Sequence, residues 1–189
     1  MRKEGKMKQK LYFARHGATN ANKERRTMGC RIDEPLNDEG RRDAYVLAIS
    51  VPKEIEVIVS SPLKRARQTA DIIGQALRLP IIECNELRER DMGTLSGKLW
   101  SDIEVETCGT LTLEKLRGTF EIDFSPWGGE TKGAVQERLR RFLLRAQEEW
   151  KGKRVLAVCH AGVMRVCFLL AGYTTPPHVR NGGLYELEI

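Results

Sequence analysis

No run of roughly eighteen apolar residues occurs anywhere in the chain, so a membrane-spanning helix is excluded from the reading. The N-terminal segment MRKEGKMKQK passes directly into a short apolar strand, without the extended apolar core of an export signal. Five cysteines are an odd, scattered set with no CxxC pair and no cysteine–histidine cluster at zinc spacing, which excludes a disulfide framework and a structural zinc site. Aromatic residues are only 6% of the chain, too few for a base-stacking surface. The net charge of +6 therefore reads as a solvated surface plus a basic leader, not as a nucleic-acid footprint. These absences lead to a soluble chain in a reducing cytoplasm, with no nucleic-acid or membrane partner and no metal or other cofactor.

With 189 residues, 41% of them hydrophobic, the chain fits one ordinary domain. Residues 1–8 are expected to form a flexible basic tail and 9–189 a single domain. Four short runs rich in Val and Ile, Leu11–Ala14, Val57–Val59, Pro80–Cys84 and Val155–Cys159, read as buried strands. Helical patterns lie between them. Asn37 is positioned to cap a helix reaching Ser50, Ser61 with Pro62 opens one reaching Leu79, and Thr131–Trp150 is amphipathic. Leu184–Ile189 alternates like an edge strand. Strands alternating with helices predict an α/β fold with a largely parallel sheet covered on both faces. From Gly93 to Gly129 the pattern weakens to an irregular excursion, with a short helical candidate at Leu111–Arg117.

LYFARHGATN and VLAVCHAGVM echo each other: in each an apolar strand runs into a histidine followed closely by glycine. His16 and His160 then stand just past two strand ends, the edge at which open α/β sheets bind ligands. A third strand, ending at Val59, leads through Ser60, Ser61 and Pro62 into a helix whose first turns carry Lys64, Arg65 and Arg67. Parallel neighbours would gather two imidazoles and at least one guanidinium beside Arg15. Such a pocket suits a phosphoryl dianion, because guanidinium forks match phosphate oxygens and buried cations need an anion to offset their desolvation. A leaving alkoxide also needs a proton, and Glu86 and Glu89 are the available carboxyl groups. Glu86 is otherwise expected to pair with Arg90. Arg67 reads as a surface salt-bridge residue, Cys159 as a small core hydrophobe, and His178 as an exposed loop residue.

R-H-G-A-T-x-x-N at Arg15–Asn22, S-P-L-K-R-A-R-Q-T at Ser61–Thr69 and E-R-D-M-G at Glu89–Gly93, with strand-His160, resemble the histidine phosphatase superfamily. D-E-P-L-N-D-E-G-R-R-D-A at Asp33–Ala44 and G-G-E-T at Gly128–Thr131 extend the resemblance over nearly the whole chain after residue 9. The order and spacing are similar to the phosphoglycerate mutase-like branch and to its small phosphatases, such as α-ribazole phosphatase. The resemblance implies a three-layer α/β/α sandwich. It implies His16 as a nucleophile that becomes phosphorylated, with Arg15, Arg65 and His160 holding the transferred group and Glu89 as proton donor. It places Asn22 and Gly162 among the phosphate-binding positions. Two departures stand out: Ala161 intervenes between His160 and Gly162, and Cys30 occupies a loop that borders the family's pocket.

The activity so implied is metal-independent hydrolysis of a small phosphorylated metabolite. The alternatives are a cofactor-dependent phosphoglycerate mutase, for which Lys98, Arg117 and Lys132 could contact a substrate carboxylate, and a non-catalytic phosphate-binding protein on the same fold. Neither the substrate nor the oligomeric state is legible in the sequence.

Overall fold

The structure, a computed structural model, describes residues 9–112 and 122–189. The expected basic tail, most of the helical candidate at Leu111–Arg117, and Arg117 itself lie outside the described residues. In chain order the main elements are β1 (Lys10–Arg15), α1 (Asn20–Lys23), α2 (Asp38–Ser50), β2 (Val57–Ser60), α3 (Lys64–Leu77), β3 (Ile81–Glu83), α4 (Trp100–Glu106), α5 (Lys132–Glu149), β4 (Val155–Cys159), α6 (Ala161–Leu170) and β5 (Leu184–Glu188).

The strands form one sheet in the order β3-β2-β4-β1-β5, parallel except for β5, which runs antiparallel along β1. Period-two alternation sends successive side chains to opposite faces. Phe13 therefore joins a core with Leu139 and Phe142 of α5 and Phe168 of α6, while Ala14 faces Leu47 of α2 and Ala66, Ala70 and Ile73 of α3. Helices cover both faces, and the three-layer α/β/α sandwich is the observed architecture. Among the described residues no helix is long and apolar enough to cross a membrane.

Several predicted boundaries shift, each for a visible reason. β3 is shorter than Pro80–Cys84 and is a half-exposed edge, not a buried strand, because β2 lies on one side of it and, among the described residues, no strand on the other. The third helix starts at Lys64 rather than Ser61: the Ser61 hydroxyl is engaged elsewhere and the N-cap, Leu63, makes no side-chain bond. It stops at Leu77, where Arg78 turns left-handed at φ 57°. Asn37 caps α2 through the Gly40 N–H at 2.8 Å, and Thr131 caps α5 through the Ala134 N–H at 3.1 Å, as their side chains predict. α6 was hidden from the sequence reading because AGVMRVCFLL is buried almost throughout, leaving no polar stripe to reveal its period. The described part of the excursion after Gly93 is more regular than expected. It carries α4, and Met92, Leu95, Ile103, Leu111 and Phe124 pack into a small core of their own.

Register is what builds the site. Arg15 lies opposite Cys159 and Ser60 opposite both Val158 and Glu83, so the parallel strands finish level at one edge. The residues that leave that edge are His16 after β1, Ser61 after β2, the Cys84–Glu89 passage after β3 and His160 after β4.

Candidate active site

A cleft of ≈570 Å³ opens at this edge, within the range that encloses a small metabolite. Its lining includes Arg15, His16, Asn22, Arg65, Glu89 and Gly162, six of the seven residues singled out from the sequence. The seventh, His160, is fully buried behind the floor, its ring centroid 5.1 Å from that of His16.

The His16 turn is held from several sides. The Gly17 N–H donates to Thr69 Oγ1 at 3.1 Å, and that hydroxyl donates to the Arg65 carbonyl at 2.8 Å, tying the turn to α3. Glycine is required at 17 because α2 presses in: a Cβ there would stand 2.1 Å from the Gly40 carbonyl oxygen. His16 Nδ1 lies 2.7 Å from the Gly17 carbonyl oxygen. A carbonyl only accepts, so Nδ1 carries the proton and Nε2 keeps its lone pair. Burial, then the Arg65 and Arg15 guanidinium charges, hold this imidazole well below its ordinary pKa and therefore neutral. His160 is held well below its ordinary value by burial first and then by Arg65, His16 and Arg15.

Arg65 is almost wholly buried and is fixed by two carbonyls, Ile32 at 3.0 Å and Gly29 at 2.8 Å, which leaves its Nε without a hydrogen-bond partner among the described residues. Arg15 donates to the Val179 carbonyl at 2.9 Å. Glu89 is oriented through both oxygens, Oε1 accepting from the Arg90 N–H at 2.9 Å and Oε2 from the Gly162 N–H at 3.1 Å. Glu86 instead accepts from the Cys84 thiol at 3.2 Å, lies 4.0 Å from Arg145, and is not part of the cleft. Its expected pairing with Arg90 does not form; Arg90 is buried over the Phe124 ring at 5.0 Å.

Asn22 orders the loop. Its Oδ1 accepts from the Thr19 N–H at 3.2 Å and from Asn181 Nδ2 at 3.0 Å, while its own N–H closes a capping box with Thr19. Ala161 is accommodated at the first position of α6, away from positive φ. Arg67 pairs with Asp71 at 2.8 Å and Glu83 at 2.5 Å on the surface. Cys159 is buried with its thiol pushed well above the ordinary value, chiefly by burial, an inert core residue. Cys30 stays outside the cleft lining, whereas Met28 and Gly29 beside it enter it. His178 is exposed as read, but at the cleft rim.

Neither Lys98, paired with Glu106, nor Lys132 lines the cleft. Among the described residues the cations that do are seven arginines, since Arg25, Arg26, Arg90, Arg165 and Arg180 join Arg15 and Arg65, against the single carboxylate of Glu89. The sequence reading missed these five. Arg165 had a legible signal, a lone charge inside an otherwise apolar helix; the others lie on loops that only the fold brings together. Among the described residues no three His, Cys, Asp or Glu side chains converge as a metal-holding group.

The chain is 34% identical over 161 residues to phosphoglycerate mutase-like protein 4 of Arabidopsis thaliana, covering 82% of this chain and 67% of the relative. It is 33% identical over 163 residues to a metal-independent phosphoserine phosphatase of the same plant, covering 84% and 67%. Among solved structures, a mycobacterial glucosyl-3-phosphoglycerate phosphatase in complex with VO3 superposes with a TM-score of 0.79 at 26% identity, covering 94% of this chain and 90% of that one. The family model for branch 1 of the histidine phosphatase superfamily matches residues 11–189, and the chain belongs to that superfamily of phosphatase- and mutase-type phosphoryl-transfer enzymes.

Proposed function

We propose that the chain is a metal-independent phosphatase that hydrolyses a small-molecule phosphomonoester through a phosphohistidine on His16. The observation that carries this reading is the 2.7 Å contact from His16 Nδ1 to the Gly17 carbonyl, which leaves Nε2 as the basic nitrogen in a cleft rich in arginine. Nε2 attacks phosphorus, the ester P–O bond breaks, and the leaving oxygen takes the proton of the Glu89 carboxyl group. Water then attacks the phosphohistidine, giving its proton to the Glu89 carboxylate; the P–N bond breaks and inorganic phosphate departs. Arg15, Arg65 and His160 stabilise the phosphoryl oxygens throughout, the electrostatic work that phosphoryl transfer chiefly requires. Asn22 and Gly162 hold the surrounding backbone and Glu89. Residues 9–189 act as one catalytic domain.

Hydrolysis without a metal is supported by the relative named a metal-independent phosphoserine phosphatase. A mutase reading draws on the exposed rim arginines Arg25, Arg26 and Arg180, which suit a substrate with a second anionic group, whether carboxylate or phosphate. One experiment separates the two. Phosphorylated metabolites are screened with excess EDTA, and 3-phosphoglycerate with catalytic 2,3-bisphosphoglycerate is followed for 2-phosphoglycerate and free phosphate together. Phosphate release that survives chelation supports the phosphatase; isomerisation outpacing release overturns it. Alkaline denaturation during turnover of a reactive ester traps label on His16, and label on another residue overturns the mechanism.

A further inference from the structure

We infer that Ser61 is a positioning residue that fixes the tautomer of His160, so that His160 presents Nδ1–H as a donor reserved for the phosphoryl group. This rests on the reading that the site takes a phosphoryl group, and it adds a residue and a proton position which that reading lacks.

Ser61 and His160 are both fully buried, and Ser61 Oγ lies 2.9 Å from His160 Nε2. The contact alone permits either direction, because a hydroxyl both donates and accepts. Its surroundings choose one. Ser61 Oγ already accepts from the Leu63 N–H at 3.3 Å, and among the described residues it has no acceptor other than His160 Nε2. Were Nε2 to carry the proton, the Ser61 O–H would be a buried donor with nowhere to go, an unfavourable state. With the proton on Nδ1, the Ser61 O–H donates to the Nε2 lone pair and the Nδ1–H is left unpaired among the described residues; with the proton on Nε2, the Ser61 O–H and the Nδ1 lone pair are both left unpaired, so the first arrangement is favoured.

The consequence appears on the other nitrogen. His160 Nδ1 is buried with no hydrogen-bond partner among the described residues. In the tautomer set by Ser61 it is an orphaned N–H on a ring whose centroid is 5.1 Å from that of His16, the donor assigned to a phosphoryl oxygen. Burial and the neighbouring arginines keep the ring neutral before an anion arrives, so the tautomer is a real choice and not a doubly protonated ring. The backbone makes the device rigid: the Ser61 N–H continues the β2–β4 ladder to the Val158 carbonyl at 3.0 Å, so Ser61 and His160 leave adjacent strands locked in register.

The test is two-bond ¹H–¹⁵N correlation spectroscopy of the full chain labelled at histidine, with His160 assigned through His160→Gln. Free protein is expected to show His160 protonated at Nδ1 and bare at Nε2, and inorganic phosphate is expected to shift the Nδ1–H resonance. Ser61→Ala is expected to move the proton toward Nε2 and to lower kcat/KM for p-nitrophenyl phosphate by roughly 10-fold or more, as a misplaced imidazole proton does elsewhere. Ser61→Thr, which restores the hydroxyl, is expected to recover both. A proton on Nε2 in the unsubstituted chain overturns the inference, as does a Nδ1–H indifferent to phosphate, or a Ser61→Ala variant that keeps tautomer and rate. Should Ser61→Ala not fold, the spectrum of the unsubstituted chain decides. Phosphohistidine trapping distinguishes the two readings: trapping on His16 with the proton on Nε2 sinks only this inference. Failed trapping with the proton on Nδ1 sinks the phosphatase mechanism and leaves Ser61's hold on the ring intact.

Discussion

Glu89 and Gly162 meet across the cleft, the Gly162 N–H donating to Glu89 Oε2 at 3.1 Å where a Cβ on residue 162 would stand 2.5 Å from Oε1. The glycine thus serves the carboxylate twice, as a donor and as a space. Arg90 Nε is the next atom such a Cβ would meet, at 2.8 Å. Both obstacles are the far ends of side chains, so Gly162→Ala is expected to fold, at a cost of about 1–3 kcal/mol for overpacking. Its kcat is expected to fall about 10²-fold, because the carboxyl group is pushed from its bonded position. Paired urea titrations and steady-state kinetics check this; an unchanged kcat would mean that Glu89 need not sit where Gly162 puts it.

Arg65 and Arg67 share a helix but not a role. Arg65 spans the Gly29 and Ile32 carbonyls and lines the cleft, whereas Arg67 is bound to Asp71 and Glu83 in solvent. Arg65→Ala is expected to lower kcat/KM by about 10² or more through lost stabilisation of the phosphoryl oxygens. Arg67→Ala is expected to stay within about twofold, since exposed pairs contribute only about 0–1 kcal/mol. Equal damage from both would place the wrong arginine at the phosphate.

How much of this was legible beforehand depended on where a residue sits relative to the strand ends. His16, Arg65 and His160 were found because each follows an apolar run at short, fixed spacing, and parallel pairing does the rest. Cleft residues such as Arg25, Arg180 and Asn181 lie on loops whose approach to His16 is set by contacts far apart in sequence, such as the Gly182 N–H to the His16 carbonyl at 3.3 Å. No local pattern records such a contact. α6 escapes the pattern for the opposite reason: near-complete burial erases the polar face by which a helix shows its period. The small core around Phe124 draws on residues from Met92 to Phe124 whose spacing follows neither a strand nor a helix for long.

Stability is expected to fall between pH 7 and pH 5, and the two buried histidines set the sign. Both have folded pKa values well below the ordinary imidazole value, with burial as the first cause. Below about pH 6.5 the unfolded chain therefore binds protons that the folded chain refuses, and the unfolding free energy drops as pH falls. Each histidine adds a slope of up to about 1.4 kcal/mol per pH unit in that window, fully relieved above it. Urea midpoints at pH 7.5 and 5.5 measure the loss, and the double variant His16→Gln, His160→Gln is expected to flatten it. A slope unchanged in the double variant would assign the effect to other groups.

Glu89→Gln separates proton donation from binding, because the two depend differently on the leaving group. Glutamine keeps the shape of the side chain, and its carbonyl oxygen can replace one of the two Glu89 oxygens that accept from the Arg90 and Gly162 N–H groups, while its NH2 cannot replace the other. It cannot lend a proton and recover it. An alkoxide leaving group is strongly basic and cannot depart without that proton, whereas nitrophenolate can. The expected deficit is about 10²–10⁴ in kcat/KM with an alkyl phosphate and much smaller with p-nitrophenyl phosphate. Glu86→Gln is the matched control, since Glu86 contacts Cys84 and lies outside the cleft. It is expected to leave both substrates nearly unaffected. Equal losses with the two substrates would make Glu89 a binding residue, and a leaving-group-dependent loss in Glu86→Gln would move the proton donor three residues upstream.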